Sequence, residues 1–191
     1  MQKKWDIAKN RIPLDQCNLA SQEARELFDY FGEYTAGVTR KTEPATPGEC
    51  PFLNFRLINS EAIENFYEIA PTIGNILLSY SGIQPSFGRV PTEYFPTGIT
   101  INFADATSHV PSHIDQGKGE EVSYITSLCG VADFTIEGHY KDFSHSMRVN
   151  PGDVHMLHNP ANYEERLWHG AKTIGDEPRI SLAARMPLLN I

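Results

Sequence analysis

From Gly98 onward the chain breaks into short runs of strand-forming residues separated by turn residues. The runs 98–104, 108–114, 121–129, 131–137, 145–150, 153–158, 164–172 and 178–186 read as strands. Eight strands at that spacing match a double Greek-key jelly roll, in which two sheets close face to face.

The first half reads differently. Ser21 to Phe31 (SQEARELFDYF) has the pattern of a short amphipathic helix with Ser21 as its N-cap. Ser60 opens a second helix in which Ala62, Ile63, Phe66, Tyr67, Ile69 and Ala70 follow helical spacing. Pro71 should kink or break it, and Ile73–Tyr80 continues as another helical piece. Thr42–Pro51 (TEPATPGECP) reads as a loop or lid, and Phe52–Ile58 as a strand. The expected fold is mainly β with flanking helices (α+β), a jelly-roll core of double-stranded β-helix type with N-terminal helices packed on one face. No repeat, low-complexity tract or linker interrupts the sequence. Residues 1–191 therefore read as one domain, with 1–90 as helical support and lid and 91–187 as the core.

Charge narrows the partners. With 24 acidic and 16 basic side chains the net charge is −8, and no basic run is longer than Lys3-Lys4 or Arg40-Lys41. Binding along an extended nucleic-acid duplex needs clustered cations, so such a partner is not expected, although a local basic groove is compatible with this composition. There is no apolar stretch of the roughly 18–20 residues that a membrane span needs, and Met1-Gln-Lys-Lys-Trp-Asp lacks the apolar run of a secretory signal. Cys17, Cys50 and Cys129 form no CxxC pair, which suits free thiols in a reducing compartment. The expectation is a cytoplasmic protein with Cys129 as a small core residue. The number of chains that assemble is not legible.

The chemistry is carried by His113-Ile114-Asp115 and, much later, by His169. Residues i and i+2 of a strand project from one face about 6–7 Å apart, so His113 and Asp115 can converge on one ion. A histidine from a distant strand would complete two imidazoles and one carboxylate, the facial set that leaves positions open for co-substrate and oxygen. An HxD tripeptide alone is equally compatible with two polar residues at a strand end.

The final run supplies a second constraint. In 179–185 (RISLAAR), Arg179, Ser181, Ala183 and Arg185 share one strand face, while Ile180, Leu182, Ala184 and Met186 share the other. If the polar face meets solvent, this is an amphipathic edge strand. If it faces the inside of a roll, two buried guanidinium groups need anionic partners, and a dicarboxylic acid is such a partner. Arg179 can grip a carboxylate through its planar fork, with Ser181 adding a hydroxyl. Arg185 lies about 20 Å further along an ideal strand, which assigns it to the metal end.

Taken together, His113-x-Asp115, His169 and Arg179-x-Ser181 resemble the Fe(II)- and 2-oxoglutarate-dependent dioxygenases. Arg179-x5-Arg185 resembles the last strand of the AlkB-like branch. Thr126-Ser127-Leu128-Cys129-Gly130, Phe134, Pro151-Gly152-Asp153-Val154 and Trp168-His169-Gly170 extend the likeness over roughly 91–187. The resemblance implies iron(II) on His113, Asp115 and His169, and 2-oxoglutarate and O2 as co-substrates. It also matches Asn102 to a co-substrate contact. It implies decarboxylation of 2-oxoglutarate to succinate, coupled to hydroxylation of a C–H bond; with Asp115 present, hydroxylation is implied over halogenation. Ala104 stands where AlkB-like proteins usually carry a tyrosine, and Ser181 where they often carry asparagine. Both departures bear on repair-type substrates. The substrate is then a small metabolite or a modified base. The alternatives are an AlkB-like demethylase of alkylated nucleic acid and a non-catalytic, cupin-like metal-binding module, for which Arg179 and Arg185 would have no purpose.

Other residues have simpler readings. His155 and His158 lie three apart on opposite strand faces and read as structural, as do His109, His139 and His145 near turns. Asp153 reads as a turn residue bonding local backbone, and Trp168 as packing. Tyr34 and Phe52 are compatible with stacking on a planar substrate or with ordinary packing.

Overall fold

The computed structural model describes all residues except 1–3, 33, 42–48, 107, 116–118, 141 and 190–191. Residues 42–48 of the expected loop or lid, and the side chain of Tyr34, lie outside the described part. The order of elements is β1 (Trp5–Ala8), α1 (Leu14–Tyr30), β2 (Tyr34–Thr35), β3 (Val38–Lys41), β4 (Phe52–Arg56), α2 (Ser60–Ile69) and α3 (Pro71–Ser79). Then follow β5 (Gly98–Ala104), β6 (His109–His113), β7 (Glu121–Cys129), β8 (Val131–Glu137), β9 (Ser144–Val149), β10 (Val154–Asn159), β11 (Trp168–Ile174) and β12 (Arg179–Pro187).

The last eight strands form the jelly roll. One sheet runs β6-β11-β8-β9; the other contains β10-β7-β12-β5 and is extended by β1 at one edge and by β4-β3-β2 at the other. The strand pairs are antiparallel. Period-two patterning decides which side each residue faces. On β12, Ile180, Leu182, Ala184 and Met186 join the core between the large sheet and the helices, with Cys17, Ala20, Ala24 and Leu27 of α1 and Ile73, Ile76 and Leu77 of α3. Ala183 of the opposite face packs against the smaller core inside the roll, with Ile125, Phe134, Ile136 and Ala171. The molecule is therefore layered as helices, large sheet, small sheet. Each fully buried side chain such as Leu53, Ile101 or Leu182 stabilises this arrangement by about 1.5–3 kcal/mol.

β12 pairs on both sides, with β5 and β7, so it is not the amphipathic edge strand that the sequence also allowed. At its start the chain is held close to the β7–β8 turn. Gly130 there has φ +68°, and a Cβ on it would lie 2.7 Å from the Pro178 carbonyl oxygen and 2.9 Å from the Arg179 Cα. Only a residue without a side chain fits.

Several expectations need correction. The first helix begins at Leu14, and Ser21 lies inside it, donating its hydroxyl to the Cys17 carbonyl at 2.9 Å in place of capping. The cap of α2 is Asn59, whose side chain accepts from the Ala62 amide at 2.8 Å. Pro71 opens α3, where its missing N–H costs nothing. The strand expected at 52–58 stops at Arg56, and that expected at 164–172 starts at Trp168, because Tyr163–Glu165 form a 3-10 turn. Cys129, expected in the core, is half-buried because it ends β7 at the turn; Cys17 and Cys50 are the buried thiols. No described helix is long and apolar enough to cross a membrane.

Candidate metal centre

The small sheet sets His113 directly opposite His169: the two are register partners on β6 and β11, with ring centroids 4.4 Å apart. β6 ends at His113, so Asp115 reaches the same point from two residues beyond the strand. Its Oδ1 lies 3.8 Å from His113 Nε2 and its Oδ2 lies 3.9 Å from His169 Nε2. One ligand atom from each of the three side chains falls within 4.8 Å of the others. First-row divalent ions bind such atoms at about 2.0–2.2 Å, so the group can share one ion. Two imidazoles with one carboxylate is the donor set suited to non-haem iron(II) with open positions.

Each ligand is oriented from behind. His113 Nδ1 lies 2.8 Å from the Pro111 carbonyl oxygen, and His169 Nδ1 lies 3.5 Å from that of Leu167. A carbonyl only accepts, so the proton sits on Nδ1 and the Nε2 lone pair faces inward. Ser123 donates its hydroxyl to Asp115 Oδ2, and Asn159 Nδ2 donates to the same oxygen at 3.2 Å. The buried Arg166 donates to the Asp115 backbone carbonyl at 2.8 Å. Burial alone would raise the Asp115 carboxyl, but His169, Arg185, the Ser123 hydroxyl and His113 outweigh it and bring it to about 2. Asp115 is thus ionised at neutral pH. Burial chiefly, opposed by Asp115, holds His169 down to about 4, which leaves it neutral.

The other residues singled out in the sequence line the same cavity of about 510 Å³: Asn102, Arg179, Ser181 and Arg185 all face it. Asn102 and Ser181 are direct register partners on β5 and β12. Arg185 Nη2 lies 3.5 Å from Asp115 Oδ1, at the metal end. Arg179 is at the closed end, 2% exposed, and its Nε has no hydrogen-bond partner. Burial pushes this guanidinium down to about 10, opposed only by the Cys50 and Cys129 thiols. A buried, unpartnered cation facing a cavity is costly unless an anion completes it.

The residues that orient the triad, Ser123, Asn159 and Arg166, were missed in the sequence. Their one signal is parity, since Ser123 and Asn159 are polar at inward positions of β7 and β10, as their bonds to Asp115 show. Asp153 does bond local backbone, accepting from Asn150 N at 3.0 Å, and it also ties Lys9 and Asn10 to the roll. His158 pairs with Glu120 at 2.8 Å, and His145 stacks on Trp5.

His155 is different. It is the register partner of Ile125, faces the roll interior, rests on Phe134 with centroids 4.8 Å apart, and has no partner on either ring nitrogen. Burial, with Lys9 adding to it, pushes it down to about 3. The unfolded chain therefore binds a proton that the folded chain refuses between pH 6.5 and about 3. That stability is full above the unfolded value and falls with pH below it, by at most about 1.4 kcal/mol per pH unit. Replacing His155 with Leu should raise stability at pH 5 by about 1–3 kcal/mol and flatten the acid side of the profile. Urea unfolding at pH 7 and pH 5 checks this; a less stable variant at pH 5 would mean that the imidazole is satisfied.

No protein-family model matches the sequence, and no curated protein sequence matches it. Solved structures do. OsALKBH1, an AlkB homologue, superposes with TM-score 0.60 at 14% identity over 97% of this chain and 99% of its own. A prolyl-4-hydroxylase from Pseudomonas putida gives TM-score 0.55 at 11% identity, covering 97% and 93%. The non-haem α-ketoglutarate-dependent epimerase SnoN from nogalamycin biosynthesis gives 0.56 at 14%, covering 97% and 78%. At these identities the likeness is one of fold. This chain is built on the jelly-roll fold of the Fe(II)/2-oxoglutarate dioxygenase superfamily, with an AlkB homologue among its structural neighbours.

Proposed function

We propose that this chain, acting as a single domain, is an Fe(II)- and 2-oxoglutarate-dependent dioxygenase that hydroxylates a C–H bond of a small metabolite or modified base. The observation that carries the reading is Arg179. An unpartnered, buried guanidinium at the closed end of a cavity, with a His-Asp-His group at the other end, suits a dicarboxylate lying between them. A plain metal-binding cupin would have no use for that cation.

In this reading His113, Asp115 and His169 hold the iron. Arg179, with the Ser181 hydroxyl and the Asn102 amide nearby, holds the far carboxylate of the co-substrate. Arg185 braces Asp115 and adds positive charge at the metal end. Ile125, Phe134 and Ala171 line the cavity between the two ends and keep water from it. When bound, iron(II), 2-oxoglutarate and O2 would supply the oxidising power, with succinate and carbon dioxide as by-products.

The test is succinate formation by purified protein loaded anaerobically with iron(II), then given 2-oxoglutarate and oxygen without substrate. Slow, iron-dependent succinate is expected. No succinate with or without pooled candidate substrates, together with no detectable 2-oxoglutarate binding, would replace the enzyme by a metal-binding module. Oxidative demethylation of an alkylated base is a second reading, favoured by the AlkB homologue's fold likeness along nearly its whole length. Formaldehyde release from methylated oligonucleotides would select it.

A further inference from the structure

We infer, resting on the oxygenase reading above, that the substrate is a small organic acid whose anionic group is held by Arg56. Strand parity points this side chain at the site. On β4, Leu53 and Phe55 pack into the helix-side core, so Phe52, Asn54 and Arg56 face the other way. Arg56 and Asn54 line the metal cavity.

The floor beneath is laid by register. Arg56 pairs with Gly98 on β5, and the step after Ala184–Ile99 sets Gly98 opposite Arg185 on β12. Arg185 in turn pairs with Ser123, which bonds Asp115. Ser123, Arg185, Gly98 and Arg56 thus form one row across four neighbouring strands, beginning at the metal centre. A Cβ on Gly98 would meet nothing within 4 Å, so the floor between the two arginines is open. Strands lie about 4.8 Å apart, which puts Arg56 about 10 Å beyond Arg185. A small acid spans that distance with its anion at Arg56 and its carbon skeleton toward the triad.

Charge agrees. The described lining of this cavity holds three arginines against one carboxylate, Asp115, although the chain as a whole carries −8. Arg185 is engaged by Asp115, and Arg179 sits at the closed end. Arg56 has no carboxylate partner among the described residues. In the adjoining groove Lys41 and Glu49 offset each other, so the cationic excess is concentrated at Arg56. An unpaired guanidinium over an apolar-walled cleft favours a carboxylate or phosphate over neutral and cationic molecules.

The test uses the full chain loaded with zinc(II) and 2-oxoglutarate, so that nothing turns over. Ligand-observed NMR reads binding of small carboxylic acids, each beside its primary amide, and of phosphate monoesters beside their parent alcohols. Acids or monoesters should bind, which distinguishes the two sources of the anion, and their neutral partners should bind about tenfold more weakly or worse. Arg56→Ala should lose a similar factor, Arg56→Lys should recover part of it, and 2-oxoglutarate affinity should stay unchanged in both. Equal binding of acids and amides, indifference to Arg56→Ala, or no acid or monoester binding would overturn the inference. So would oligonucleotide binding that depends on Arg56 while no small acid binds. If 2-oxoglutarate itself fails to bind the parent protein, the oxygenase reading falls, and the same panel without it still decides Arg56.

Discussion

Asp115→Ala will lose iron-dependent succinate formation and weaken zinc(II) or iron(II) binding beyond the 10–100-fold typical of an outer-shell change. The carboxylate is one of three ligand groups and also the hub of the site. It faces His113 and His169, accepts from Ser123 and Asn159, and lies 3.5 Å from Arg185. Removing it strands those donors and sets two neutral imidazoles beside an uncompensated guanidinium, which repels a cation. Asp115→Asn keeps the shape and removes the charge, so it separates the two effects: a folded Asn variant should still lose the metal. In the metal-free protein the carboxylate's contribution to stability is present above its ordinary value of 3.8 and lost as pH falls through about 2. Metal titration followed by calorimetry, with thermal unfolding of the metal-free variants as control, checks both. Unchanged metal affinity in either variant would remove Asp115 from the ligand set.

The strands around this centre were legible because their alternation is intrinsic to the sequence. The bounds of β5, β7 and β8 coincide with the expected 98–104, 121–129 and 131–137. What failed depends on partners remote in sequence. β1 is half-buried along its whole length, so it has no alternation to read; it exists because β10 pairs with it and Asp153 anchors the residues that follow. β2 and β3 are two and four residues long. The start of α1 was hidden because its buried stripe opens on small residues, Cys17 and Ala20, and because Ser21 resembles a cap. The convergence of His113 and Asp115 followed from spacing, although the second of them lies beyond its strand. The burial of Arg179 could be stated only as one branch of a conditional, since nothing local says whether a strand is central or at an edge. The bonds of Ser123, Asn159 and Arg166 to Asp115 join segments far apart in the chain, and no local pattern encodes them.

Arg179→Met should move two measurements in opposite directions. The guanidinium is 2% exposed, with an unpartnered Nε and no carboxylate partner among the described residues. Burial pushes it from 12.5 down to about 10, a charging cost of about 3 kcal/mol at about 1.4 kcal/mol per pH unit. Because its folded value is depressed, that cost is present at every pH below about 10 and is relieved only above it. A methionine of similar length fills the space without a charge, so the ligand-free variant should be more stable by about 1–3 kcal/mol, a rise of about 2–4 °C in Tm for each kcal/mol in a chain of this size. Its affinity for 2-oxoglutarate should fall by about a hundredfold or more, because a buried charge-assisted pair is worth about 3–5 kcal/mol to the partner left behind. In the parent protein 2-oxoglutarate should raise Tm; in the variant that increment should vanish at the same concentration. An arginine kept only for the fold predicts a less stable variant with unchanged co-substrate affinity. An arginine kept for an anion predicts the opposite pair of results, and one melting experiment with and without 2-oxoglutarate separates them.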